Sequence, residues 1–355
     1  MIRRDYSLGI SREESNIISV IRVFAMFLIV LCHISYTYGK FAFIGQVFNV
    51  GVDVFFIVSG FIYGQKQIEC TYKWVKNRLV RILVPIYSFY LVAFVILSLF
   101  GKIGNVTLKA VLLQIFNLNG FIDGAGIGNV FTEHLWYISF ILVCYAVTPI
   151  LQKIRGNVSA KTVLLSLIII SIIESVIICN IKIQSFMACI PGIFTYISAY
   201  FFAACWDKNV KKNYYVLLSV LMVFCMFARF YFKIVADSNV KYEILYSRVI
   251  AQYTHIILAY WIFVTLYAIC QKYAGFVKEI KCFVSFFDSI SFEIYITHQV
   301  LCTGVLSVMY LTKSIAVNIL VFAIITILAA LILNRISKFI ILCLNLNNKK
   351  TEILK

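Results

Sequence analysis

The stretch Ile17-Ile18-Ser19-Val20-Ile21-Arg22-Val23-Phe24-Ala25-Met26-Phe27-Leu28-Ile29-Val30-Leu31-Cys32-His33-Ile34-Ser35-Tyr36-Thr37-Tyr38 decides the architecture. As a helix it extends about 33 Å, enough for a hydrocarbon core about 30 Å thick. It reads as a membrane span, yet it holds Arg22 and His33, with ten residues between them. Eleven steps of about 100° return to nearly the same helix face, with a rise of roughly 16 Å. One side of this helix therefore carries a fixed cation low down and a titratable base about half a bilayer higher. Such groups are costly in lipid and call for a polar partner or a cavity.

The rest of the chain has the same character. It has 355 residues, 62% of them hydrophobic and 13% charged, with a mean hydropathy of +0.95. That excludes a soluble domain and points to a polytopic membrane protein. The apolar runs are long and continuous, which favours helices over the short alternating segments of a barrel. The formal charge of +17 does not indicate nucleic acid, because the Lys and Arg sit in short segments between apolar runs. The first run has no clear small-residue cleavage site, so it is expected to be a mature span. The eleven cysteines are scattered, without a CxxC pair or a compact Cys/His spacing. They read as small apolar packers, and no metal site is expected.

Ten spans are expected, at about 17–37, 46–64, 79–100, 134–151, 162–179, 187–206, 214–235, 249–270, 283–303 and 315–337. Basic residues cluster before the odd-numbered spans, as in Lys66, Lys73, Lys76, Arg78 and Arg81 before the third, and return in the tail from Arg335 to Lys355. The opposite connections are poor in them, which places both termini in the cytoplasm. The expected fold class is thus all-α: a polytopic bundle of about ten transmembrane helices. Residues 1–345 form a single integral-membrane domain and 346–355 a short cytoplasmic tail. No convincing internal repeat supports a transporter built from inverted halves. The longest connection, Gly101 to Glu133, lies outside. It holds an amphipathic stretch, Val106 to Phe116, and a Gly-rich part, Asn119 to Asn129.

This topology sorts the polar residues by depth. Arg22 lies in the inner part of span 1, with Arg78 and Arg81 at the inner mouth of span 3. The latter two are three residues apart and share a face. Arginine forks suit phosphates, so the three form a candidate binding set for a phosphorylated donor; snorkelling anchors are the plainer reading of Arg78 and Arg81 alone. His33, His134, His255 and His298 all fall in the outer half, with Asp53, Glu133, Glu174, Arg229 and Arg248. A neutral histidine can take the proton of a hydroxyl attacking an activated acyl carbon, and a carboxylate can orient it. His33 is the expected base and Asp53 its expected orienter, from similar depth and a short connection. Glu133, His134, Tyr295 and His298 form the acceptor-side polar layer. Asp288, Ser291, Tyr295 and His298 make a stripe at helical spacing, which lines a path or satisfies neighbouring helices. Ser59 lacks a nucleophile elbow and reads as packing.

Several of these pieces, taken in order, resemble the membrane acyltransferase-3 family, whose members O-acylate bacterial surface glycans. They are Arg22 and His33, Gly51-Val52-Asp53-Val54-Phe55-Phe56-Ile57-Val58-Ser59-Gly60, Arg78-Leu79-Val80-Arg81, His134-Leu135-Trp136-Tyr137, and Ile294-Tyr295-Ile296-Thr297-His298. The resemblance implies a multi-pass protein of the bacterial inner membrane. It implies a cytoplasmic acyl-CoA donor, usually acetyl-CoA, and a hydroxyl acceptor on a surface polysaccharide or lipid-linked oligosaccharide. It also implies that Arg22, His33, Arg78 and Arg81 matter for transfer. Some relatives carry a fused extracytoplasmic hydrolase-like domain. None is expected here, so transfer is completed alone or through a separate extracytoplasmic acyl-handling protein. A glycan exporter, and an acyltransferase for a small free sugar or amino acid, stand as alternatives.

Overall fold

A computed structural model of the chain describes residues 10–39, 42–101, 108–118, 120–121, 133–181, 190–206, 212–239, 242–304 and 306–353. The described residues are helical, with no strand among them. Lipid offers backbone N–H and C=O groups no partners, so each apolar run must close its own hydrogen bonds.

The first helix, α1 (Arg12–Thr37), starts five residues before the apolar run. Ser11 caps it by accepting the Glu14 N–H at 3.2 Å, and Glu13 and Glu14 occupy its first turn. The second expected span is two helices, α2 (Ala42–Phe48) and α3 (Val50–Gly64), separated by a turn at Asn49. The third, α4 (Thr71–Leu99), takes Arg78 and Arg81 into its body. The amphipathic stretch of the long connection forms α5 (Leu108–Ile115); most of its Gly-rich part falls outside the described residues. A 3-10 turn at Glu133–Leu135 leads into α6 (Trp136–Ile154). Then come α7 (Ala160–Ile181), α8 (Ile190–Cys205) and α9 (Lys212–Ser238). A π-helical turn at Leu245–Ile250 opens α10 (Ala251–Lys272). Next are α11 (Ala274–Glu279), α12 (Lys281–Cys302) and α13 (Ile315–Ile353).

Among the described residues, eight helical segments are long and apolar enough to cross a membrane: α1, Ile44–Gly64, α4, α6, α7, α9, Leu245–Lys272 and Ile315–Leu344. The other two expected spans are also helices. However, α8 has only 16 residues, and α12 carries Asp288, Glu293 and His298. Both are built into the centre of the bundle. The helix α13 continues through residues expected to be a tail.

Small residues set the central packing. A Cβ on Gly60 would lie 2.3 Å from the Tyr196 carbonyl oxygen, and one on Gly64 would lie 2.2 Å from that of Tyr200. Ala199 and Ala203 face the same two glycines. Two four-residue small spacings thus meet, which lets α3 and α8 approach backbone to backbone. Gly51 meets α1 in the same way, at 2.4 Å from the Ala25 carbonyl oxygen. On its other side α1 packs on α12, and α12 on α13.

Candidate active site

The arginines come first, because the helix starts fix them. Arg78 and Arg81 lie one turn apart near the start of α4, and Arg22 lies on α1 three turns from its start. All three line one cavity of about 290 Å³, with Ile29, Val52, Phe55, Ser59, Ile82, Tyr137, Ile141, Tyr145, Ser291, Phe292 and Tyr295. That volume is near the lower end for small-molecule pockets, about 300–1,000 Å³. Val52, Phe55 and Ser59 recur at helical spacing, so one face of α3 forms a wall.

Arg22 Nη2 donates to Asp288 Oδ2 of α12 at 2.7 Å, and Ser19 Oγ donates to the same oxygen at 2.8 Å. The stripe residue Asp288 is therefore the counter-ion of Arg22. Its other oxygen, Oδ1, is buried without a hydrogen bond, as are Arg22 Nε and Arg78 Nε. Arg78 stacks over the rings of Tyr63 and Trp74, at 5.2 and 5.9 Å from their centroids. In the connection before α4, burial lowers the pKa of Lys66, and the charges of Arg78, Arg22 and Arg81 lower it further. The mouth of the cavity is thus strongly cationic.

Toward its other end the cavity reaches Ile29, Tyr137 and Tyr295. Ile29 precedes His33 by one turn on α1, a rise of about 6 Å. There the histidines gather. The His33 ring lies 4.9 Å from that of His298 and 6.5 Å from that of His134, centre to centre, and the latter two are 5.2 Å apart. The Tyr295 hydroxyl donates to the His134 carbonyl oxygen, and its ring packs edge-on against Tyr137 and His134. A tyrosine pair therefore stands between the arginine cavity and the histidine cluster. Arg22 and His33 both meet α12, through Asp288 and His298 respectively. Glu133 begins the turn that carries His134; its side chain falls outside what is described.

Asp53 is not with His33. Its Oδ2 lies 3.8 Å from His255 Nδ1, while His255 Nε2 donates to the Gln46 carbonyl oxygen at 3.0 Å. Arg229 donates to the same Gln46 oxygen at 3.0 Å and to the Ala251 carbonyl oxygen at 2.7 Å. The reason is depth. Gly45 in α2 already packs at Cys32 and Ser35 of α1, so the second crossing is level with His33 near Gly45. Asp53 comes eight residues later, roughly 12 Å deeper by helix rise, on a face turned to α9 and α10. The four histidines divide accordingly into a group of three and His255, which stays with Asp53. Sequence reasoning passed over Tyr137, Tyr145 and Phe55 as cavity walls. Tyr137 and Phe55 lie within the His134–Tyr137 and Gly51–Gly60 motifs, but no spacing rule distinguishes a lining aromatic side chain from a packed one.

The profile of a family described as an acyltransferase domain matches residues 16–335, and the chain belongs to that acyltransferase family. Helices and family together make it a multi-pass membrane acyltransferase. No curated protein and no solved structure matches it significantly.

Proposed function

We propose that the chain transfers an acyl group, acetyl in the first place, from cytoplasmic acyl-CoA to a hydroxyl of a surface polysaccharide or its lipid-linked precursor in a bacterial inner membrane. The single observation that carries this reading is the arrangement of the site: three arginines line one cavity, and the Tyr137–Tyr295 pair in its wall stands between that cavity and the cluster of His33, His134 and His298. The donor's phosphates are held at the cationic mouth by Arg22, Arg78 and Arg81. Its narrow arm runs along Phe55, Ser59 and Tyr145 and brings the thioester to the tyrosine pair. The acceptor arrives from the opposite side, against His33, His134 and His298.

The chemistry is a direct exchange. The acceptor oxygen attacks the thioester carbon as His33 takes its proton. The new C–O bond forms, the C–S bond breaks, and His33 returns the proton to the departing sulfur. No metal is required, and Ser59 lines the arm's path without a base beside it.

The test is His33→Ala in cells that make the glycan. The expected result is loss of glycan ester, read by mass spectrometry of the surface polysaccharide, while the variant accumulates in the membrane like the parent. A normal ester content would overturn the proposal.

A further inference from the structure

The displacement of Asp53 leaves His33 without the carboxylate that usually orients a catalytic imidazole, and the cluster holds an alternative. His298 is fully buried on α12. Its Nδ1 lies 2.7 Å from the Tyr295 carbonyl oxygen and 3.1 Å from that of Ile294. A carbonyl only accepts, so Nδ1 carries the hydrogen and Nε2 presents a lone pair. His134 is fixed in the opposite sense: its Nε2 lies 2.9 Å from the Ile296 carbonyl oxygen, which leaves a lone pair on Nδ1. Those two free atoms, His298 Nε2 and His134 Nδ1, are buried without any hydrogen bond. A buried acceptor left without a donor is costly. Both belong to rings that pack against His33, and His298 is the nearer.

We propose that His298 is the positioning residue for His33: its Nε2 lone pair receives a ring N–H of His33 and holds the opposite nitrogen toward the acceptor hydroxyl. With the ring centroids 4.9 Å apart, turning the His33 ring about χ2 is enough to aim a ring N–H at that lone pair. The backbone carbonyls of Ile294 and Tyr295 do for His298 what a carboxylate does in a triad: they fix the tautomer. When His33 accepts the hydroxyl proton, its second N–H already has an acceptor, and His134 Nδ1 supplies a further lone pair beside it. The imidazolium is stabilised by oriented dipoles rather than by an anion. No net proton is gained or lost, since His33 passes the one it takes to the thiolate.

This inference rests on the transfer reading above, and its test separates the two. Membranes containing the full chain are given radiolabelled acetyl-CoA, and label in the glycan fraction is followed for the parent, His298→Leu and His298→Gln. The glutamine carries an acceptor oxygen close to the place of Nε2. Leucine is expected to lower kcat by about 100-fold, with the KM for acetyl-CoA within twofold, and glutamine to recover at least tenfold of the loss. Equal activity of all three, or equal loss in both variants, overturns the role of His298 while the transfer reading stands. A parent that transfers no label overturns that reading instead. The positioning role is then judged by the rate at which diethyl pyrocarbonate modifies His33, mapped by mass spectrometry. It must change at least threefold in His298→Leu and return toward the parent in His298→Gln; an unchanged rate overturns it.

Discussion

Arg22 carries its charge into a membrane span at a cost that Asp288 offsets. Removing one partner of such a pair leaves the other exposed to an apolar surround, so the loss exceeds the net worth of the pair. Arg22→Ala and Asp288→Asn are therefore each expected to lower thermal stability in detergent, and the double variant to lose less than the sum. A coupling of roughly 1 kcal/mol or more in that cycle is expected; strict additivity would show that the ion pair contributes nothing. At the donor, Arg78→Ala is expected to raise the KM for acetyl-CoA about tenfold or more, as loss of a charge-assisted contact does, with kcat changed less. The sequence made Arg22 and His33 legible because helix periodicity fixes their shared face and their rise. It placed Asp53 wrongly because the break at Asn49 and the early packing of Gly45 leave no mark in hydropathy. It placed His134 and His298 at the right level but could not pair them with His33, since depth says nothing of direction around a helix.

At the scale of elements, the contact of α3 with α8 is where a small change travels furthest. Cβ atoms on Gly60 and Gly64 would meet backbone carbonyls, which cannot swing aside as a side chain can. Gly64→Ala is expected to cost about 1–3 kcal/mol by overpacking, read as a lower unfolding temperature and lower membrane accumulation. An unchanged unfolding temperature would show that α8 yields. Because α3 also forms the cavity wall through Val52, Phe55 and Ser59, the surviving protein is expected to show a raised KM for donor as well. Most helices were legible as apolar runs, since lipid forces an uninterrupted helix on any such run. α8 and α12 were legible in the same way, as the expected spans 187–206 and 283–303, although α8 has only 16 residues and α12 carries Asp288, Glu293 and His298.

For the whole molecule, the asymmetry of basic residues predicts that the connection between α3 and α4 is cytoplasmic. Cys70 lies exposed in that connection. In a variant that keeps only this cysteine, a membrane-impermeant maleimide is expected to label inside-out vesicles and to spare intact cells. The reverse pattern would invert the proposed direction of transfer. The two substrates would then approach along one transverse path from opposite compartments, with α1 and α12 common to both halves. Neither helix can shift without moving both the Arg22–Asp288 contact and the His33–His298 contact, so the arginine end and the histidine end of the site move together.

The stacking of Arg78 on Trp74 has an optical consequence. The chain has four tryptophans, and the indole of Trp74 lies against the Arg78 guanidinium, which lines the cavity. Its emission reports the charge immediately beside it. With Trp136, Trp206 and Trp261 replaced by phenylalanine, addition of acetyl-CoA is expected to change the remaining fluorescence with a saturable dependence, absent in Arg78→Ala. Such a change would make Trp74 a gauge of occupancy by the proposed donor, readable in a cuvette without an acceptor.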